Sequence, residues 1–188
     1  MSPLPVRIGI VGAGENTLLR HIPGFQAIEG VEVVSVANRS RESSERVAAK
    51  TGIPTVYDSW QELVEAPDTD AIMVGTWPYM HCPVTLAALD AGKHVLCEAR
   101  LAMNASEAHL MRDTALANPG LVAMVVPSPF TLGVDAAIKR LLREGYVGEV
   151  FALQVRASSG FLNRDAPLHW RQNMGWSGLN IMTMGIWY

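Results

Sequence analysis

The feature that most restricts the fold of this chain is a regular alternation of short apolar runs with stretches of helical spacing. The runs are Val6–Val11, Val31–Ala37, Thr55–Tyr57, Ala71–Gly75, His94–Cys97 and Leu121–Val126. Asn16–Ile28 places Leu18, Leu19, Ile22 and Phe25 on one side of a helix, with Pro23 expected to kink or interrupt it. Ser40–Thr51 is a polar helix closed by Gly52. Ser59 and Asn104 each precede a glutamate three residues on, Glu62 and Glu107, which is the pattern that caps a helix start. Pro83 suits the first turn of a helix running through Ala91 to Gly92. Strands joined in series by helices lie parallel, because a parallel neighbour needs a crossover connection. The expectation is therefore an α/β unit over residues 1–126, with a doubly wound parallel sheet.

After Pro127 the pattern changes. A helix at about Val134–Glu144 leads into "GEVFALQVRASSG", a longer run with rough alternation. Residues 127–188 are expected to open a second α/β domain with an antiparallel sheet, incomplete because such a sheet needs several strands. The segment "GLNIMTMGIWY" is apolar with no cap or turn. A partner chain or a second copy covering it, or a chain shortened relative to its fold, would account for it.

With 49% apolar residues and a net charge of −3, the chain can fill a core and carries no basic stripe. Nucleic acid and anionic membrane surfaces are not expected partners. No apolar run approaches the roughly 20 residues of a membrane span, and the N-terminal stretch lacks the ordered regions of a signal peptide. Cys82 and Cys97 have neither metal-ligand spacing nor a disulfide framework, which points to a reduced, cytoplasmic chain without a metal site.

In "IGIVGAGENTLLRH", Gly12-x-Gly14-x-x-Thr17 follows a strand and opens a helix. Gly12 permits a tight turn, and Gly14 lets backbone approach a pyrophosphate. The first helical N–H groups, here at residues such as Asn16, attract that anion. Thr17 stands where a third glycine is usual and is expected to hold helix and strand further apart, while Glu15 suits a phosphate only if it points away. A ligand-free glycine turn is the alternative. Its place within a strand–helix–strand unit favours a dinucleotide in a Rossmann-type domain. The second strand ends on Asn38, Arg39 and Ser40, with no carboxylate for a ribose 2′-hydroxyl. A guanidinium and a hydroxyl there favour NADP over NAD, unless Arg39 and Ser40 merely start a solvated helix.

"VGAGENTLLRHIPGF", "VEVVSVANRS", "DAIMVGTWPYMHCPVTLAALDAGKHVLCE" and "GYVGEV", in that order, resemble the N-terminal half of the Gfo/Idh/MocA family of NAD(P)-dependent oxidoreductases. The resemblance implies a Rossmann domain followed by an α/β domain with an open antiparallel sheet. It also implies hydride transfer with sugars, inositols or related polyols, and association through that sheet. By position, Gly75, Thr76 and Trp77 would lie along the dinucleotide with His81 nearby. "CEARLA" lies over the family's "CEKPLA", so Glu98 matches, Ala99 stands at the catalytic lysine and Arg100 at the proline. In "SGLNIMTMGIWY", Thr183 falls at an aspartate and Trp187 at a histidine that often moves a proton. "HWR" matches a Trp-Arg signature, making Trp170 and Arg171, with Arg100, candidates for substrate or cofactor contact. His169 and His81 remain the candidates for proton transfer.

Two functions follow from these residues. One is an NAD(P)-dependent oxidoreductase with a modified site, acting on a sugar, inositol or related polyol or carbonyl compound. The other is a catalytically impaired or inactive dinucleotide-binding protein, a sensor or an assembly subunit, motivated by Ala99, Thr183 and Trp187.

Overall fold

The computed structural model describes residues 4–127, 133–152, 154, 167 and 169–178. Six strands form one sheet: β1 Val6–Val11, β2 Val31–Ala37, β3 Thr55–Val56, β4 Ala71–Val74, β5 His94–Cys97 and β6 Ala123–Val125. They are all parallel, in the order β3-β2-β1-β4-β5-β6. This is the Rossmann-type doubly wound arrangement, in which the winding reverses between β1 and β4.

The connections are a π-helical turn Thr17–His21 leading into α1 Ile22–Gln26, then α2 Arg41–Thr51, α3 Trp60–Glu65, α4 His81–Asp90 and α5 Ala105–Ala117. The break expected at Pro23 takes the form of that π turn. Helical register changes just before the proline, which sits in the first turn of α1 where a missing N–H costs little. Ser40, Ser59 and Asn104 cap α2, α3 and α5 by accepting the N–H of Ser43, Glu62 and Glu107. The Glu62 and Glu107 carboxylates reach back to the N–H groups of Asp58 and Met103, one residue before each cap.

Alternation along the strands divides the core into two layers. Val11, Ile72, Val74 and Val95 pack with Leu63, Val84, Leu89 and Met111 beneath α3, α4 and α5. Ile8, Ile10, Val36 and Met73 pack on the opposite face with Ile22 and Val47 of α1 and α2. Each fully buried aliphatic side chain contributes roughly 1.5–3 kcal/mol. The β1–β2 register shifts between Ile8 and Gly9. A Cβ at Gly9 would stand 2.7 Å from Leu63 Cδ2 and 3.0 Å from Thr69 Cγ2, so the glycine leaves these side chains room against β1.

Beyond the sheet lie α6 Asp135–Arg143, a 3-10 turn Trp170–Gln172 and α7 Met174–Ser177. Residues 148–152 and 154 are not in a strand, and the rest of the long run read as a strand falls outside the described residues, as do Thr183 and Trp187. Among the described residues, no helix is long and apolar enough to cross a membrane. No cluster of three or more metal-ligating side chains occurs among them either.

Candidate functional site

The strand ends Val11, Ala37, Val74 and Cys97 share one edge of the sheet, and the loops that leave them build the site. Gly12 donates its N–H to the Ala37 carbonyl at 2.9 Å, Gly75 to Val11 at 2.8 Å and Glu98 to Val74 at 2.9 Å. A cleft of about 580 Å³ opens at the point where the winding reverses. Gly12, Gly14, Asn38, Arg39, Ser40, Gly75, Thr76 and Trp77 line it, joined by Ser43, Arg46, Tyr79 and Met80.

The two loop glycines do different work. Gly12 has φ +84°, and a Cβ there would stand 2.7 Å from the Thr76 N and 2.5 Å from its Cγ2. It is held to glycine by both conformation and contact. A Cβ at Gly14 would meet no protein atom within 4 Å, so that glycine leaves open space on the cleft side of the loop. Thr17 is 1% exposed and its hydroxyl donates to the Gly12 carbonyl at 3.3 Å. Room for it is found across the loop at Gly75, whose missing Cβ would collide with Thr17 Oγ1 and with the Gly12 carbonyl. Glu15 is exposed and does not line the cleft.

At the end of β2, Asn38 is committed to the fold. Its Oδ1 accepts the Ala13 N–H at 2.7 Å and its Nδ2 donates to Ser43 Oγ at 3.0 Å. Ser40 spends its hydroxyl on capping α2. Arg39 is exposed at the cleft, with no hydrogen bond or ion pair among the described residues. Thr76 Oγ1 is buried in the wall without a partner. An anion-bearing ligand fits these features: space beside Gly14, a helix start, an unengaged guanidinium and an unanswered hydroxyl.

Glu98 and Asn16, 82 residues apart, meet at 2.5 Å at the end of β5. His21 joins them, with Nε2 2.6 Å from Glu98 Oε1, and Glu98 Oε2 accepts the Ala99 N–H at 2.9 Å. Burial opposes ionisation of Glu98. The hydrogen bond and charge of His21, with the Ala99 N–H and the Asn16 amide, outweigh it, so its pKa lies below the ordinary value. Nothing local in the sequence marks His21 as a partner of this acid; only the folded loop brings it there.

His81 is 1% exposed, with Nδ1 2.7 Å from the Arg100 carbonyl and Nε2 3.0 Å from the Thr76 carbonyl. Burial lowers its pKa despite those two oxygens. The ring ties two strand-end loops together and does not line the cleft. Trp77 stacks against Trp170 at 5.3 Å and Trp176 at 4.9 Å between ring centres, fastening the segment 169–178 to the cleft. His169 starts that segment's turn. Its Nδ1 accepts the Arg171 N–H at 3.2 Å, and its own N–H donates to Gln172 Oε1 at 2.6 Å. Arg171 lies 4.3 Å over the Trp170 ring, and Arg100 donates to the Ser177 carbonyl. Trp176 carried no motif of its own in the sequence.

The family described as oxidoreductases with an NAD-binding Rossmann fold, Gfo/Idh/MocA, matches residues 6–126. The chain belongs to that family. Among Gfo/Idh/MocA relatives, trans-1,2-dihydrobenzene-1,2-diol dehydrogenase of Danio rerio is 33% identical over 189 residues, covering 98% of this chain and 54% of its own. The 1,5-anhydro-D-fructose reductase of Ensifer adhaerens is 36% identical over 150 residues, covering 79% of this chain and 44% of its own. A variant of a 3-ketoreductase from Actinomadura kijaniata, solved with TDP-benzene and NADP, superposes with a TM-score of 0.66 at 29% identity, over 78% of this chain and 46% of that one. Biliverdin reductase from Synechocystis, solved with biliverdin and NADP+, gives 0.66 at 32% identity, over 78% and 45%. The chain spans about half the length of the relatives just named.

Proposed function

We propose that this Gfo/Idh/MocA chain binds NADP in preference to NAD and serves hydride transfer with a sugar, inositol or related polyol or carbonyl substrate. The observation that carries this reading is the cleft where the winding reverses. Gly12 and Gly14 are at its loop, and an unengaged Arg39 stands at the end of β2. Gly14 and the helix start at Glu15 and Asn16 would hold the pyrophosphate, and Arg39 the 2′-phosphate, with Ser40 held beside it as the cap of α2. Thr76 and Trp77 would flank the rest of the dinucleotide. The nicotinamide, when bound, supplies or accepts the hydride.

The protein's own part is binding, orientation and the proton. Ala99 cannot hold or move a proton, and His81 is enclosed between carbonyl oxygens. His169 is the remaining candidate carrier, its Nδ1 accepting the Arg171 N–H. The NADP-bound relatives support the choice of cofactor, and the curated dehydrogenases and reductases support the reaction class. Calorimetric titration is expected to show NADPH binding at least about ten-fold tighter than NADH, because charge-assisted hydrogen bonds to one phosphate are at stake. Binding of neither dinucleotide would sink the proposal.

Ala99 also favours a second reading, a dinucleotide-binding protein with impaired turnover, acting as a sensor or assembly subunit. NADPH binding with no NADPH oxidation across a broad carbonyl panel would establish it. Turnover lost in His169→Ala would exclude it.

A further inference from the structure

The acid at the end of β5 is held by residues from the helical segment that follows the glycine loop. Asn16 Nδ2 donates to Glu98 Oε1 at 2.5 Å, and His21 Nε2 lies 2.6 Å from the same oxygen. Glu98 Oε2 accepts the Ala99 N–H at 2.9 Å. The His21 side chain is 14% exposed and that of Glu98 16%, so the pair is largely withdrawn from water. His21 reaches the acid from a π-helical turn, Thr17–His21. Such a turn holds one residue more than an α-helical one, which rotates His21 round the helix axis, and turns of this kind recur at functional sites. Phe25 stacks on the imidazole, with 6.4 Å between ring centres. Burial pushes the Glu98 carboxyl up, and His21, the Ala99 N–H and Asn16 bring it below its ordinary value. The result is a carboxylate kept ionised at a poorly solvated strand end.

The place of Glu98 in the fold says what it faces. A dinucleotide crosses a doubly wound sheet with one nucleoside on each side of the reversal. On the reading above, Arg39 and Ser40 at the end of β2 mark the adenosine side, and Gly14 marks the pyrophosphate. The other half would then lie beyond β4 and β5. Thr76 and Trp77 line the cleft after β4, and Glu98 stands one strand further on, its N–H bonded to the Val74 carbonyl at 2.9 Å. A nicotinamide ring is positively charged when oxidised and neutral when reduced, so a nearby carboxylate distinguishes the two forms. Ala99 brings no cation to cancel that effect. Arg100 donates to the Ser177 carbonyl and Arg171 rests over the Trp170 ring, and neither forms an ion pair with Glu98 among the described residues.

We propose that Glu98, held in place by His21 and Asn16, gives this site a preference for the oxidised, positively charged form of the dinucleotide over the reduced form. The assignment rests on the NADP-binding reading above and adds which redox state the protein retains.

The test is calorimetric titration of the full chain with NADP+ and with NADPH. The parent should bind NADP+ at least about three-fold more tightly, the scale of one charge acting across a partly buried site. Glu98→Gln keeps hydrogen-bonding capacity towards His21 and Asn16 but removes the charge, and should abolish the preference. His21→Leu should shrink it, because the acid loses a buried partner, and His21→Gln, which can still donate to Glu98, should keep most of it. A merely structural role for the cluster would weaken both forms in proportion and leave their ratio unmoved. Thermal melts close to the parent show that the variants fold, and the parent measurement needs no variant at all. A parent ratio below about three-fold, or a preference that survives Glu98→Gln, would overturn the proposal. A preference raised by His21→Leu would overturn the role given to His21. Binding of neither dinucleotide removes the functional reading and this assignment together, whereas binding of both without preference removes this assignment alone.

Discussion

Thr17 and Gly75 are expected to behave as one steric unit, and a double-mutant cycle measures it. In Gly75→Ala the new Cβ would meet two atoms at 2.5 Å or closer, Thr17 Oγ1 and the Gly12 carbonyl oxygen, while the Thr17 Cβ lies at 3.4 Å, ordinary contact. Overpacking of this kind costs about 1–3 kcal/mol, and with two collisions, one against backbone, the upper end applies. Thr17→Ala alone removes a weak hydrogen bond and a buried methyl group, a loss of about 1–2 kcal/mol. In the Thr17→Ala background, Gly75→Ala keeps only the clash with the Gly12 carbonyl. The double variant should therefore be less destabilised than the sum of the single variants by about 1 kcal/mol or more, a value within the range for residues in contact. Urea unfolding of the four proteins, followed by tryptophan fluorescence and far-ultraviolet circular dichroism, gives the coupling. Costs that add to within about 0.5 kcal/mol would refute the idea that Gly75 makes room for Thr17.

Other expectations follow from single sites. Arg39→Gln should weaken NADPH by about ten-fold and leave NADH nearly unchanged in calorimetry, since only the 2′-phosphate is lost as a partner; equal weakening of both would contradict the role given to Arg39. The hydrogen bonds of Arg7 hold Asp70 down from 3.8 to about 2. A depressed carboxylate adds stability above its unfolded pKa and loses it as pH falls through the folded one. Arg7→Gln should therefore reduce the acid sensitivity of unfolding between those two values, and an unchanged slope there would count against the pair. Burial pushes Cys97 up to about 12 and Cys82 upward as well. Thiol labelling of the native protein at neutral pH should be slow and should accelerate with unfolding; rapid stoichiometric labelling without unfolding would show these sites are open.

The reach of the sequence ends where partners stop being neighbours along the chain. Ser40, Ser59 and Asn104 could be read as caps because each bonds an N–H three residues away. The strands were legible because alternation and β-branched content are local properties, although β3 and β6 are shorter than their apolar runs. The place of Asn38 after β2 suggests a cofactor contact, and its amide bonds Ala13 and Ser43, one of them 25 residues away. The resemblance places His81 near the cofactor, and burial sets its ring between the carbonyls of Thr76 and Arg100, a pairing no local signal announces.

By itself, then, the sequence determined that this is a parallel doubly wound sheet with a glycine loop after its first strand, because periodicity, capping and turn chemistry act over a few residues. Only the tertiary structure decided how the site is assembled. It exchanges space between Thr17 and Gly75, joins His21 to Glu98, stacks Trp170 and Trp176 on Trp77, and bonds Arg100 to the Ser177 carbonyl. Those juxtapositions depend on where crossover helices deliver residues remote in sequence, and side-chain fit and charge at such meetings are properties of the packed edge rather than of any segment that contributes to it.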